Sequence, residues 1–290
     1  MHLFAFRRTL TSRKRSERTK QSYEEAILLL SAFHGGADVA ELDQADIEEF
    51  IADQLKRHKA STAAVRYRSL RAFYNWCVTE EIIERSPMRR MVEPEPTDAP
   101  PPVLPDDKLA ALLKACNGKD FADRRDTAII RMWCEPGSPR VAEMAGLAVD
   151  NFDLSHDQVT VHGKGDRIRV IPFGAKTGQA IDRYLRVRGK HRDAKLPAMW
   201  LAAREGIPIT ASGLAQMLRR RAEQAGIGHV HPHQLRHTSA HIFADLGGSD
   251  GDAMALFGWR SPDMPRRYGR SAAVERAQRT SRRMSPADRL

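Results

Sequence analysis

Residues 93–105, EPEPTDAPPPVLP, carry six prolines and no apolar periodicity, and they restrict the fold more than any other stretch of the chain. Proline fixes φ and has no amide N–H to donate, so such a run neither continues a helix nor sits inside a sheet. It stays extended and acts as a semi-rigid spacer. A chain of 290 residues broken at that point has to build two cores, one on each side. The expected organisation is a basic N-terminal arm at 1–16, a helical domain at 17–92, the proline-rich linker at 93–105, a second domain at 106–270 and a tail at 271–290.

Before the linker the pattern is helical. Tyr23, Ile27, Leu30 and Phe33 recur at three- and four-residue spacing until Gly35 and Gly36 stop the run, which predicts a helix from Glu17 to Phe33. Asp43 is placed to cap a second helix reaching about His58, with Ile47, Phe50, Ile51 and Leu55 inward. A third starts near Ser61 with Val65, Leu70, Phe73, Trp76 and Cys77 on its face, and a short helix is expected over 81–85. Aromatic stripes at this spacing are assigned to packing. The outward side chains Arg66, Arg68 and Arg71 make either an ordinary solvated face or a stripe of phosphate contacts.

After the linker the period changes. Helices are expected at about 105–116 and 121–134, followed by PGSPRVAEMAGL and then three short strands in VDNFDL, DQVTVHG and DRIRVIPF. Helices resume at about 175–188, 212–225, 232–246 and 250–257. The fold class is therefore mainly α, with a small antiparallel sheet in the C-terminal domain.

The net charge of +10 belongs almost wholly to the part after the linker, and with a pI near 9.8 it points to a polyanionic partner, most often nucleic acid. No apolar run approaches the roughly 18 residues of a membrane span. The N-terminal MHLFAFRRTLTSRKR reverses the order of a secretory signal. Cys77, Cys116 and Cys134 are scattered, which suggests buried thiols in a reducing cytoplasm.

Four stretches carry chemistry. Arg140 and Glu143 lie three apart at a helix start, where the carboxylate can orient the guanidinium. Lys164 stands in the glycine-flanked turn of VTVHGKGDRIRVIP, on a projecting hairpin tip. His233 and Arg236 share one face of a helix N-terminus, a place that favours anions. His233, His237 and His241 also have a spacing of four that would suit a metal, but no partner motif on another element accompanies them. Tyr268 follows Trp259 by nine residues among several arginines. A phenol is a poor nucleophile at neutral pH unless a base and cations attend it, and His233, Arg140 and Arg236 could supply both.

The ordered set Arg140, Lys164, His233-x-x-Arg236, Trp259 and Tyr268 resembles the tyrosine recombinase or phage integrase family, and the likeness extends over residues 17–275. The resemblance implies a helical, SAM-like core-binding domain, then an α+β catalytic domain. It implies a site-specific DNA recombinase in which Tyr268 attacks a phosphate and forms a 3'-phosphotyrosyl link, with no metal and no cofactor. Arg140 and Arg236 would hold the non-bridging oxygens, Lys164 would protonate the departing 5'-oxygen, His233 would assist proton transfer, Trp259 would buttress the phosphate, and Glu143 would stand behind them. Arg66, Arg68, Arg71, Arg219 and Arg220 are the candidate DNA contacts. The implied partner is double-stranded DNA, bound by a homotetramer on paired sites and by a monomer when free, with accessory DNA-bending proteins and a nucleoid-associated, cytoplasmic location.

Three departures accompany this likeness. Pro136-Gly137-Ser138-Pro139 precedes Arg140 where family members usually show Thr-Gly-x-Arg, Trp259 stands where His is commoner, and MPRRYGR lacks a threonine before the tyrosine. The short N-terminal stretch leads to the expectation of a compact member without an arm-binding domain, serving integration or excision of a phage or mobile element. The alternatives are a chromosome-dimer resolving recombinase, or a relative that binds DNA without cutting it.

Overall fold

A computed structural model describes residues 2–95, 102–163, 167–203, 207–266, 277–278 and 281–282, and the chain divides into two compact units, Met1–Ala99 and Pro100–Leu290.

The first unit is helical: α1 (His2–Ser12), α2 (Glu17–Phe33), α3 (Gln44–Arg57) and α4 (Ala60–Thr79). Local chemistry sets the boundaries. The Ser16 hydroxyl accepts from the Thr19 amide to start α2, and Asp43 and Asp46 make a reciprocal capping box at α3. The core gathers Ile27, Leu30, Ile47, Phe50, Leu70 and Phe73. Buried tyrosines keep their hydroxyls satisfied: Tyr67 donates to the Met91 carbonyl at 2.6 Å and Tyr74 to that of Val39 at 2.8 Å.

Several expectations change here. The segment expected as a basic arm forms α1, because Phe6 and Leu10, four apart, bury one side of it. Phe6 meets Phe73 edge-on at 5.4 Å between ring centres. Residues 81–85 make turns, not a helix. Val65 and Leu55 are exposed, each lying one step off its helix's buried stripe. On α3 that stripe continues into Gln54, whose amide oxygen accepts from Arg66.

The second unit runs α5 (Asp106–Lys114), α6 (Phe121–Cys134), α7 (Val141–Ala145), β1 (Phe152–Asp153), β2 (Gln158–Gly163), β3 (Arg167–Pro172), α8 (Ala175–Arg188), α9 (Ala211–Gln224), α10 (Pro232–Asp245) and α11 (Asp250–Phe257). The strands form one antiparallel sheet in the order β1-β2-β3, with Val159 opposite Ile171 and Gly163 opposite Arg167. Val159, Val161 and Ile171 face the core; Ile168 and Val170 face out. The architecture is mainly helical with a small antiparallel sheet, as the sequence implies.

Two arginines with little exposure tie segments of this unit together. Arg188 donates to the carbonyls of Met199 (3.0 Å), Ala194 (3.1 Å), Leu196 (2.6 Å) and Ala198 (2.6 Å). Arg221 joins α9 to α6 through Asp126 and Asp123, both at 2.8 Å. The Arg188 guanidinium supplies donors to backbone carbonyls of an irregular connection, and that of Arg221 to two carboxylates.

Candidate active site

Three elements converge: the turn before α7, the β2–β3 hairpin, and the α10–α11 pair. The turn is built for close approach. Gly137 has φ +83°, and a Cβ there would lie 2.9 Å from the Leu256 carbonyl oxygen, so no other residue fits that conformation and that gap. Ser138 is fully buried, and its amide donates to the Glu135 carbonyl at 3.0 Å. Its own carbonyl accepts from Nη1 of Arg236. The irregular Pro-Gly-Ser-Pro turn is thus tied directly to the second candidate arginine.

Arg236 is 2% exposed. Nη2 donates to the Phe257 carbonyl at 2.5 Å, and the guanidinium lies over the Phe257 ring, 5.0 Å from its centre. Trp259 stacks on the same ring at 4.7 Å and 13°, after Gly258 ends α11 in the left-handed region. One aromatic side chain therefore registers both Arg236 and Trp259.

The helix α10 begins at Pro232, with Nδ1 of His231 accepting from the Gln234 amide at 3.1 Å. Burial, followed by the charge of His229, lowers the His231 pKa, which suits a neutral acceptor. His233 is exposed on the first turn and meets the His237 ring edge-on at 4.2 Å. Further along the helix Ser239 donates to the Glu135 carbonyl at 2.6 Å, so α10 also supports the turn that leads to Arg140.

Arg140 is half exposed and directed by Glu143: Nη1 donates to Oε1 at 2.9 Å and the backbone amide to Oε2 at 2.8 Å. Arg169 donates from Nη2 to the same Oε2 at 2.8 Å. Burial alone would raise the Glu143 pKa, but the hydrogen bonds from Arg169 and Arg140 and their charges outweigh it and hold the carboxyl at about 2. Glu143 is therefore an anion at any ordinary pH.

Lys164 and Tyr268 lie outside the described residues, so the geometry covers Arg140, Glu143, His233, Arg236 and Trp259. Arg169 was missed by the sequence reading. The signal was its position two residues before Ile171, on the inward face of β3, where an arginine has to find buried acceptors. Among the described residues no three His, Cys, Asp or Glu side chains are arranged to hold a metal, and no helix is long and apolar enough to cross a membrane.

The candidate DNA contacts are partly committed elsewhere. Arg66 is largely covered and reaches Glu25 at 3.9 Å, whereas Arg68 and Arg71 are half exposed and share Glu93 at 2.7 and 3.7 Å. Arg219 and Arg220 are exposed on α9, with Glu223 3.9 Å from Arg219.

The profile of the phage integrase family matches residues 102–275, and that of the phage integrase N-terminal SAM-like domain matches residues 3–84. Tyrosine recombinase XerC of Corynebacterium efficiens is 31% identical over 239 residues, covering 81% of this chain and 75% of the relative. Tyrosine recombinase XerD of Mycobacterium leprae is 31% identical over 80% of this chain and 79% of its own length. Among solved structures, the Tn1549 transposon integrase in complex with transposon right end DNA has a TM-score of 0.78 at 19% identity, covering 98% of both chains. The XerH recombinase bound to palindromic difH substrate has 0.76 at 17%, covering 93% of this chain and 81% of its own. At these identities the structures speak for the fold.

Proposed function

The chain belongs to the phage integrase family, its activity is that of a tyrosine site-specific recombinase, and we propose that Tyr268 is the nucleophile with which it cuts and rejoins double-stranded DNA. The observation that carries this reading is the convergence of Arg140 and Arg236 through one turn, with the Ser138 carbonyl bonded to Arg236 two residues before Arg140. Two cations tied to one turn suit the two non-bridging oxygens of one phosphate. Their charge matters most in the transition state, when those oxygens become more negative.

In this reaction the Tyr268 oxygen attacks phosphorus in line. The bond to the 5'-oxygen breaks, leaving a 3'-phosphotyrosyl link, and Lys164 gives the departing oxygen its proton. His233 assists removal of the phenolic proton, and Trp259 closes one wall of the phosphate site. The phosphotyrosine keeps the energy of the broken ester, so a second strand's 5'-hydroxyl reverses the step with no nucleotide consumed. The domain division at 93–105, the DNA contacts from Arg66, Arg68, Arg71, Arg219 and Arg220, and assembly as four protomers on paired sites complete the proposal. Its support is the family's DNA-bound neighbours, among them a lambda integrase tetramer bound to a Holliday junction. Integration or excision of a mobile element and resolution of chromosome dimers both fit this chemistry.

The test is a pool of nicked duplexes with randomised arms, in which the nick lets the leaving strand diffuse away. The purified protein is expected to form denaturant-resistant adducts, and Tyr268→Phe none. Binding without any adduct would overturn the assignment and leave the DNA-binding relative in its place. The recovered sequences define the core site, and mapping their junctions in the genome separates the two cellular roles.

A further inference from the structure

We propose that Arg169 is a positioning residue for strand cleavage: its guanidinium fork ties the Arg140–Glu143 pair, the end of β2 that precedes Lys164 and the end of α11 into one unit. This inference rests on the reading of Tyr268 and its partners given above.

The fork makes two bonds of different direction. Nε donates to the Leu256 carbonyl at 3.0 Å and Nη2 to Oε2 of Glu143 at 2.8 Å. Leu256 lies three residues before Trp259, and Glu143 holds Arg140. A planar guanidinium fixes the separation of two acceptors more tightly than a lysine ammonium can. The same side chain lies against two glycines: a Cβ on Gly163 would be 3.5 Å from Nη1 of Arg169 and 3.5 Å from Oε1 of Glu143, and one on Gly258 would be 3.4 Å from Cδ of Arg169. Gly163 is the last residue of β2 and immediately precedes Lys164, so the pair lies beside the strand end that leads into the lysine.

These contacts are needed because the elements are weak by themselves. The helix α7 has five residues, too few for its own hydrogen bonds to hold Arg140 in place. Its orientation comes from Glu143, and the orientation of Glu143 comes from Arg169. Charge points the same way. One carboxylate between two guanidiniums leaves a net positive charge for the phosphate, whereas without Arg169 the Arg140–Glu143 pair is neutral.

The measurement is the first-order rate of phosphotyrosyl formation at saturating duplex, using a core site recovered from the pool, alongside duplex affinity and thermal melting. For Arg169→Gln the rate is expected to fall on the order of a hundredfold, the cost of a misplaced reacting group, with affinity within about twofold of wild type. Arg169→Lys keeps the charge but not the fork, and is expected to fall about tenfold with melting unchanged. Because it preserves the ion pair, it stays informative if the glutamine variant folds poorly. Wild-type rates in both variants would overturn the inference and leave Tyr268 untouched. So would losses in rate that only track losses in binding or melting, since those mark a merely structural arginine. Absence of an adduct with the wild-type protein would sink the Tyr268 reading, and this inference with it.

Discussion

The two units use arginine in opposite ways. In the helical unit Arg7, Arg57, Arg68 and Arg71 lie at the solvent-exposed surface, paired directly with carboxylates. In the second unit Arg125, Arg188 and Arg236 are buried and donate to backbone carbonyls. A helical bundle satisfies its own backbone, so its core can be apolar and aromatic. A unit with long irregular connections cannot, and there the guanidinium acts as a structural plug as well as a cation. Removing the residue is thus expected to cost little in the exposed pairs and more where it is buried with partners that would be left unsatisfied.

The sharpest way to break this contrast is Arg236→Ala. It removes one of the two cations proposed for the phosphate and leaves the carbonyls of Ser138 and Phe257 without this donor. Cleavage is expected to fall about a thousandfold, and the second unit to melt earlier. A variant that lost cleavage with unaltered melting would show that the buried arginine is not a plug. The counterpart in the first unit is Phe73→Ala, which empties the contact with Phe6 and is expected to cost roughly 3–5 kcal/mol in denaturant titrations. Arg188→Ala comes next. It takes a donor from four carbonyls, of which that of Met199 keeps the Tyr184 hydroxyl, at an expected cost of about 3 kcal/mol with the cleavage rate of the folded fraction unchanged.

Glu143 gives a contrast that can be read by pH. Its folded pKa of about 2 lies below the ordinary 4.5, so its stabilisation is fully present above pH 4.5 and is lost as pH falls toward 2. The melting advantage of wild type over Glu143→Gln is expected to shrink over that window. An advantage constant down to pH 2 would mean that the charge of Glu143 contributes nothing.

What could be read from the sequence follows the same division. The spacing of Ile27, Leu30 and Phe33 or of the apolar face of α6 marks helices to the residue, because periodic burial is written into the order of side chains. Arg140, His233 and Arg236 stand out as candidates by their order and chemistry. Arg169 does not, since its role depends on a carbonyl at Leu256, 87 positions away. Helix α1 is hard to read in the sequence because only Phe6 and Leu10 are buried among basic neighbours, and the proline turn before Arg140 depends on the approach of Gly137 to Leu256, far along the chain.

The smallest expected effect tests the surface half of the comparison. Arg68 and Arg71 share Glu93, with side chains about half exposed, so the pairs contribute under about 1 kcal/mol to folding. Glu93→Gln should therefore leave melting nearly unchanged. It should nevertheless tighten DNA binding, because a phosphate approaching either arginine no longer competes with a carboxylate already in place. Each extra phosphate contact steepens the dependence of log affinity on log salt by about 0.9. Affinity measured at several salt concentrations should thus rise in Glu93→Gln, most at low salt, and Arg68→Ala should abolish most of that gain. Unchanged affinity and slope in Glu93→Gln would assign both arginines to the solvated face and move the DNA contacts to other residues, with Arg219 and Arg220 on α9 the next to test.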